Sequence, residues 1–211
     1  MTLYMRRIAA WTWQPCLTLL LLSIGGEVHA HSSVKGVGDF YAGVLHPLTT
    51  LENILPFVGL GLLIGQQAKR AQETVLIFSV ALMVGALGSL YLPAQPLVSV
   101  ANLFSAALFG GLVAAAVSLP KSVYWSLGLI FGLTHGFTNG EGVTGNVRWY
   151  LFIPGVGMAG FLVTMNLMFI TDYLVQRKQS WIPIAVRVAG SWLTAVGILV
   201  LAASSKAFLK A

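Results

Sequence analysis

Six apolar runs, each about twenty residues long and separated by short connectors, constrain this chain more than any other feature. A run of that length can cross the hydrocarbon core of a bilayer as a helix. The runs lack the alternation of apolar and polar residues that is typical of a transmembrane barrel. Only 9% of the residues are charged, and the mean hydropathy is +0.84. The sequence therefore predicts an all-α membrane protein with a six-helix transmembrane bundle.

The predicted spans follow one another along the chain with little sequence between them. They cover residues 42–65, 75–92, 97–119, 123–139, 149–174 and 182–203. These connectors are too short to hold a second domain, so we expect one six-span membrane domain over residues 31–211.

The first thirty residues have the organisation of a cleavable signal peptide. A positive stretch precedes an apolar run over residues 17–24, and residues 28–30 fit a small-x-small cleavage site. Cleavage after residue 30 would make His31 the N-terminal residue, whose amine and imidazole can both bind a transition metal. Two alternatives stay open, because the segment could remain as a signal anchor and the residues from His31 onward could form a disordered tail.

The charges of the connectors predict how the bundle is oriented in the inner membrane. A cleaved signal places the mature N-terminus in the periplasm, and the connectors then alternate between the two sides. The cytoplasmic side receives Lys69, Arg70, Lys121, Arg177, Lys178 and Arg187, and the periplasmic side receives Lys35, Arg148, Lys206 and Lys210. The cytoplasmic side thus receives more basic residues than the periplasmic side, as the positive-inside rule predicts. Because the positive charge lies in connectors, the formal net charge of +6 does not indicate nucleic-acid binding.

Two polar stretches, residues 45–56 and residues 134–142, interrupt the apolar pattern on the predicted periplasmic side. Their polar residues include His46, Thr50, Glu52, Asn53, His135, Asn139 and Glu141. A charged group at the centre of a bilayer costs about 3 kcal/mol on insertion scales, so polar residues at such depth usually have a function. In the first stretch His46, Thr50 and Asn53 are spaced i, i+4 and i+7, and in the second His135 and Asn139 are spaced i and i+4. Residues at these spacings share one face of a helix. We therefore expect one polar site between the first and fourth spans.

Several of these residues also have purely structural interpretations. His46 precedes a proline and could cap the first helix. Asn53 and Asn139 fit interhelical hydrogen bonds better than metal ligation. The glycine ladders of the first, fourth and fifth spans favour close helix packing and do not indicate transport. Glu52 is harder to explain structurally, since an acid in an apolar helix needs a partner or a proton.

At these two stretches the chain resembles the HupE/UreJ family of small membrane proteins. The first family motif reads roughly His-Pro-x-x-Gly-x-Asp-His, and residues 46–53 of this chain read His-Pro-Leu-Thr-Thr-Leu-Glu-Asn. The second reads roughly His-Gly-x-Ala-His-Gly-x-Glu, and residues 135–142 read His-Gly-Phe-Thr-Asn-Gly-Glu-Gly. The resemblance implies nickel or cobalt uptake, a function often associated with hydrogenase or urease.

The chain departs from both motifs at positions that could bind a metal. Asn53 and Asn139 replace histidines, which substitutes weak oxygen donors for strong nitrogen ligands. Glu52 keeps the carboxylate of the family aspartate, and Glu141 lies one place before the family glutamate. The predicted metal-binding residues are His31, His46, Glu52, His135 and Glu141, supported by Thr50, Asn53 and Asn139.

The residues and the resemblance together favour a permease for a divalent transition-metal ion such as nickel or cobalt. The alternative is a non-transporting membrane subunit or assembly factor, in which the polar residues hold helices together. An enzyme is not expected, because the sequence has no Ser/His/Asp set and no His-Glu-x-x-His motif. The expected partners are the lipid bilayer, a divalent metal ion, and either a protein complex or further copies of the chain. No resident cofactor is predicted beyond a transported nickel or cobalt ion.

Overall fold

The structure is a computed structural model that describes residues 38–67, 71–177 and 179–208, without the side chains of residues 204–208. The predicted signal peptide, residues 1–30, and the predicted ligand His31 lie outside these ranges. The described residues form helices and contain no strand. The helices are α1 Gly38–Leu48, α2 Leu51–Gly65, α3 Thr74–Gly88, α4 Pro96–Ala115, α5 Lys121–Gly140, α6 Trp149–Gln176 and α7 Trp181–Phe208.

The helices confirm the all-α membrane class, and they agree with the predicted spans within a few residues except at the first span. Those long and apolar enough to cross a membrane are Pro96–Ala115, Trp149–Gln176 and Trp181–Ala203. The bent pair α1 and α2 counts as a fourth if it forms one span. Helix α3 is apolar but has 15 residues, and α5 has 20 residues but is less apolar. The described residues thus contain three or four candidate spans by length and composition, whereas the sequence pattern predicts six.

The first predicted span is broken into two helices that meet at an angle of 77°. Between them Thr50 has an extended backbone, with φ −111° and ψ 118°, and occupies the N-cap position of α2 without a capping bond from its side chain. The hydroxyls of Thr49 and Thr50 donate to the His46 carbonyl at 3.2 and 3.3 Å. Hydroxyls that bond to backbone carbonyls in this way compete with continued helix. The prediction that His46, Thr50 and Asn53 share one face of a continuous helix is therefore wrong.

Glycines let the helices of the bundle approach closely, as the sequence pattern predicts. Helix α3 packs mainly on α5, and α4 packs mainly on α7. A Cβ atom at Gly132 of α5 would come within 2.5 Å of the Ala81 side chain on α3. One turn later, a Cβ at Gly136 would strike the Leu82 backbone of α3. Each of these positions therefore requires glycine, because a Cβ atom there would clash with α3.

The two ends of the bundle carry different charges. At one end, which we call the polar end, Arg148 at the start of α6 pairs with Asp39 of α1 at 2.5 Å. At the other end, which we call the basic end, Lys121 pairs with Glu73 at 2.8 Å. The hydrogen bond from Lys121 holds the pKa of the exposed Glu73 carboxyl below its ordinary value. The described basic side chains at the basic end are Lys121, Arg177 and Arg187.

Candidate functional site

The two polar stretches meet inside the polar end of the bundle. The Asn53 side-chain oxygen on α2 lies 3.2 Å from His135 Nδ1 on α5. The His135 side chain is completely buried and Asn53 is 9% exposed. The Asn53 side chain therefore makes the interhelical hydrogen bond that the sequence analysis favours for it.

A third helix, α4, completes this buried network. Ser105 Oγ lies 2.9 Å from His135 Nε2 and 2.5 Å from the Asn102 carbonyl oxygen. The Asn102 amide in turn donates to the Thr134 carbonyl at 3.0 Å and to the Thr138 hydroxyl at 2.9 Å. Neither α4 residue is among those predicted from the sequence. Their signal is the spacing of Asn102 and Ser105 at i, i+3, which places two polar side chains on one face of a largely apolar helix.

The hydrogen bonds of His135 fit two proton arrangements of a neutral imidazole. In the first, Nδ1–H donates to the Asn53 oxygen, and the Ser105 hydroxyl donates to Nε2 instead of to the Asn102 carbonyl. In the second, the Asn53 amide is turned over and donates to Nδ1. Nε2–H then donates to Ser105, whose proton goes to the Asn102 carbonyl. Only the second arrangement keeps every bond in the chain.

Both ring nitrogens of His135 are therefore occupied by protein groups. The ring also packs edge-on against Phe57, with 5.9 Å between the ring centroids. A metal ion could bind this imidazole only by replacing Asn53 or Ser105 at a ring nitrogen. The geometry thus makes His135 a structural centre that joins α2, α4 and α5.

His46 occupies a different position, on α1 close to the last turn of α5. Its half-buried ring lies against Gly142, where a Cβ atom would come within 3.0 Å of His46 Nε2. The ring also contacts Phe152 of α6, with centroids 5.6 Å apart. No described residue forms a hydrogen bond with either ring nitrogen of His46. This imidazole is therefore available to a ligand in a way that His135 is not.

The carboxylates predicted as metal ligands lie on the outside of the described structure. Glu52 and Glu141 are both exposed. Within the part of the chain that the structure describes, no three His, Cys, Asp or Glu residues are grouped closely enough to hold a metal ion. The predicted ligand set also includes His31, which lies outside the described residues, so the set as a whole stays a prediction.

The supporting polar residues have separate roles. Thr50 occupies the N-cap position of α2, and its hydroxyl donates to the His46 carbonyl at 3.3 Å. The Asn139 amide donates to the His135 carbonyl of its own helix at 2.7 Å, and no interhelical hydrogen bond of Asn139 is found among the described residues. The side-chain oxygens of Asn139 and Asn102 are buried without a hydrogen-bond partner among the described residues. Buried oxygens of this kind normally bind a donor, a water molecule or a cation.

The site thus offers a half-buried imidazole and two unpaired amide oxygens beside a rigid polar network. Neutral imidazole suits late transition metals, and amide oxygens are weak ligands that bind cations without holding them tightly. Ser105 and His135 lie within hydrogen-bond distance, as a nucleophile and its base would, but both side chains are fully buried between the helices.

Comparison with known proteins identifies the chain at the level of its family. The profile of the HupE / UreJ protein family matches residues 19–200. This range includes both polar stretches, the whole of α1 to α6 and most of α7. Neither the curated proteins nor the solved structures gave a significant match. The chain therefore belongs to the HupE/UreJ family.

Proposed function

We propose that this protein is a permease for a divalent transition-metal ion, nickel or cobalt. The observation that carries the proposal is the meeting of the two family motifs in one buried polar network, where Asn53 and His135 lie 3.2 Å apart. Polar residues at this depth in apolar helices are costly and usually lie along the path of a substrate or ion. The family association with nickel and cobalt supplies the cargo.

We further propose that the polar end of the bundle faces the periplasm and that the chain crosses the inner membrane six times after a cleaved signal peptide. In this topology the bent pair α1 and α2 forms one broken span, and α3 and α5 cross the membrane as a tightly packed pair. The described basic side chains support the orientation, because three lie at the basic end and Arg148 alone lies at the polar end.

In this proposal the exposed carboxylates act first and the buried groups act later. Glu52 and Glu141 attract the hydrated cation at the periplasmic surface. His46 then replaces part of its water shell with an imidazole nitrogen, and His31 adds a second nitrogen ligand. The unpaired oxygens of Asn102 and Asn139 receive the ion further inside. Glu52 could exchange a proton for the ion.

A second candidate function is a non-transporting membrane subunit or assembly factor of a metalloenzyme. The observation that favours it is the engagement of both His135 nitrogens within the protein, together with the separation of the described acids and imidazoles. In that case the buried network would serve only to hold α2, α4 and α5 together. Variants would then lower the abundance of the protein and its partner complex without a specific loss of transport.

The distinguishing experiment measures nickel and cobalt accumulation in cells at low external metal. The His46→Ala and Glu52→Gln variants are expected to reduce accumulation on the order of tenfold, since loss of metal-site groups usually costs that much. Glu73→Gln is the matched control, because it removes an exposed carboxylate at the basic end and should leave accumulation unchanged. Membrane abundance of each variant is measured in parallel. Equal accumulation in all four proteins would contradict the permease function.

A further inference from the structure

A groove between α4 and α7 at the basic end holds an exposed arginine, Arg187, on the outer surface of the bundle. The groove is open to the outside, has a volume of about 220 Å³ and is lined by Ala114, Ile184, Arg187, Val188 and Ser191. Except for Arg187 and Ser191 these side chains are apolar. None of the lining residues belongs to the polar network at the opposite end.

Close packing of α4 and α7 places the arginine at the end of α4. A Cβ atom at Gly190 of α7 would come within 2.8 Å of the Gly110 carbonyl oxygen on α4. This approach brings Arg187 Nε to 2.8 Å from the Ala114 carbonyl oxygen. Ala114 lies in the last turn of α4, where carbonyls lack partners within the helix and a positive charge is favourable. One N–H of the guanidinium is therefore committed to α4.

The rest of the guanidinium has no partner in the described structure. A guanidinium carries five N–H donors, so four remain on the two terminal nitrogens. No Asp or Glu among the described residues pairs with Arg187, because the ion pairs found there join other side chains. The arginine nevertheless lies inside a long apolar helix. Its terminal nitrogens therefore present an uncompensated positive charge to the surroundings.

The depth of Arg187 indicates what those surroundings are. It lies six residues after Trp181, which is about 9 Å along a helix with a rise of 1.5 Å per residue. Trp181 is 61% exposed, as expected of an aromatic residue at the membrane interface. The guanidinium thus lies within reach of the lipid headgroups. An arginine at this depth is costly unless an anion compensates its charge.

We propose that this groove binds the headgroup phosphate of an anionic phospholipid. The two terminal nitrogens of Arg187 match the oxygens of a phosphodiester in a bidentate arrangement. Ile184 and Val188 line the groove beside the arginine and provide an apolar surface for the start of an acyl chain. A zwitterionic lipid carries its own cation next to the phosphate, so an anionic lipid complements the unpaired charge better. Basic pockets between membrane helices are known to accept such headgroups.

Arg187 also caps the end of α4, and this structural role must be distinguished from lipid binding. Capping uses Nε alone and would stabilise the protein equally in any lipid. Lipid binding uses the terminal nitrogens and the groove, and its contribution depends on the charge of the headgroup. For each variant, the difference in stabilisation between anionic and zwitterionic lipid therefore reports on the lipid site and not on the helix cap.

The test uses the purified full chain in neutral detergent with added phosphatidylglycerol, phosphatidylcholine or inorganic phosphate. Thermal stability and retained lipid, the latter by native mass spectrometry, are measured for each addition. Phosphatidylglycerol is expected to raise the Tm of the wild type and to be retained in preference to phosphatidylcholine. In Arg187→Gln its affinity should fall about tenfold, as expected for loss of a charge-assisted pair. Arg177→Gln is the control, since that cation lies over the Tyr173 ring, 4.6 Å from its centroid, at the same end.

A second variant tests the groove without removing the cap. Val188→Trp fills the groove from a position that is 46% exposed and leaves the Arg187–Ala114 bond in place. It should lose the preference for phosphatidylglycerol as Arg187→Gln does. The proposal is overturned if either groove variant keeps this preference, if both lipids act equally on the wild type, or if inorganic phosphate alone reproduces the effect.

Discussion

The His135→Ala variant is expected to lose about 3–5 kcal/mol of folding stability, because it combines a core cavity with broken hydrogen bonds. His135 is fully buried, bonds to Asn53 on α2 and Ser105 on α4, and packs against Phe57. Alanine removes the ring and leaves the Asn53 side chain without this partner, while Ser105 keeps its bond to the Asn102 carbonyl. Because three helices lose their common contact, the loss should be among the largest of any single substitution in the polar end.

Ser105→Ala provides the matched comparison for this prediction. It removes one hydrogen bond to the same ring and should cost about 1 kcal/mol. Thermal unfolding of both purified variants in one detergent gives the comparison directly. An unfolding temperature of His135→Ala equal to that of Ser105→Ala would show that the imidazole is not the structural centre of the network.

The second large effect is expected for Gly85→Ala on α3. A Cβ atom at this position would strike the Leu133 carbonyl of α5, and the backbone of α5 cannot move without displacing its whole face. The two helices must therefore separate, which we expect to cost about 3 kcal/mol, the upper part of the usual range for overpacking. Since α3 and α5 form the most extensive helix pair of the bundle, folding yield should fall as well.

Gly88→Ala on the same helix is the control. Its new Cβ would have the Phe137 ring as its nearest neighbour at 3.9 Å, which is ordinary van der Waals contact. Alanine also has a higher helix propensity than glycine, so stability should be unchanged or slightly higher. Size-exclusion profiles and unfolding temperatures of the two variants test the difference. A Gly85→Ala protein as stable as Gly88→Ala would contradict the packing of α3 on α5.

The positions of the long helices could be predicted from the sequence, but the break in the first span could not. The break lies inside the polar stretch of residues 45–56, whose polar side chains indicate a binding site as readily as a helix end. The change of direction depends on Thr49 and Thr50, whose hydroxyls bond to the His46 carbonyl. Pro56, the more visible helix breaker, lies inside α2 and does not end it. Competition between side-chain and backbone hydrogen bonds is a local balance that composition does not reveal.

The candidate site was predictable in its location and less so in its roles. The hydrogen bond between Asn53 and His135 joins residues 45–56 and 134–142, as the sequence predicts, although the continuous helix face expected for the first stretch is wrong. The sequence predicts His46 and His135 as equivalent ligands, whereas in the structure the ring nitrogens of His46 have no described partner and both ring nitrogens of His135 are hydrogen-bonded. That difference depends on Asn102 and Ser105, which lie on a helix outside both motifs. Hydrogen-bond partners on a third helix are determined by three-dimensional packing, and a comparison of motifs does not identify them.

The most direct test of the permease function is metal flux through the purified chain in sealed lipid vesicles. A nickel-sensitive fluorophore trapped inside reports the initial rate of nickel entry down an imposed gradient. Vesicles with the wild type or Glu73→Gln should admit nickel faster than empty vesicles, and His46→Ala should reduce this rate on the order of tenfold. Nickel entry at the rate of empty vesicles, with folded protein present, would contradict the permease function and favour the non-transporting subunit.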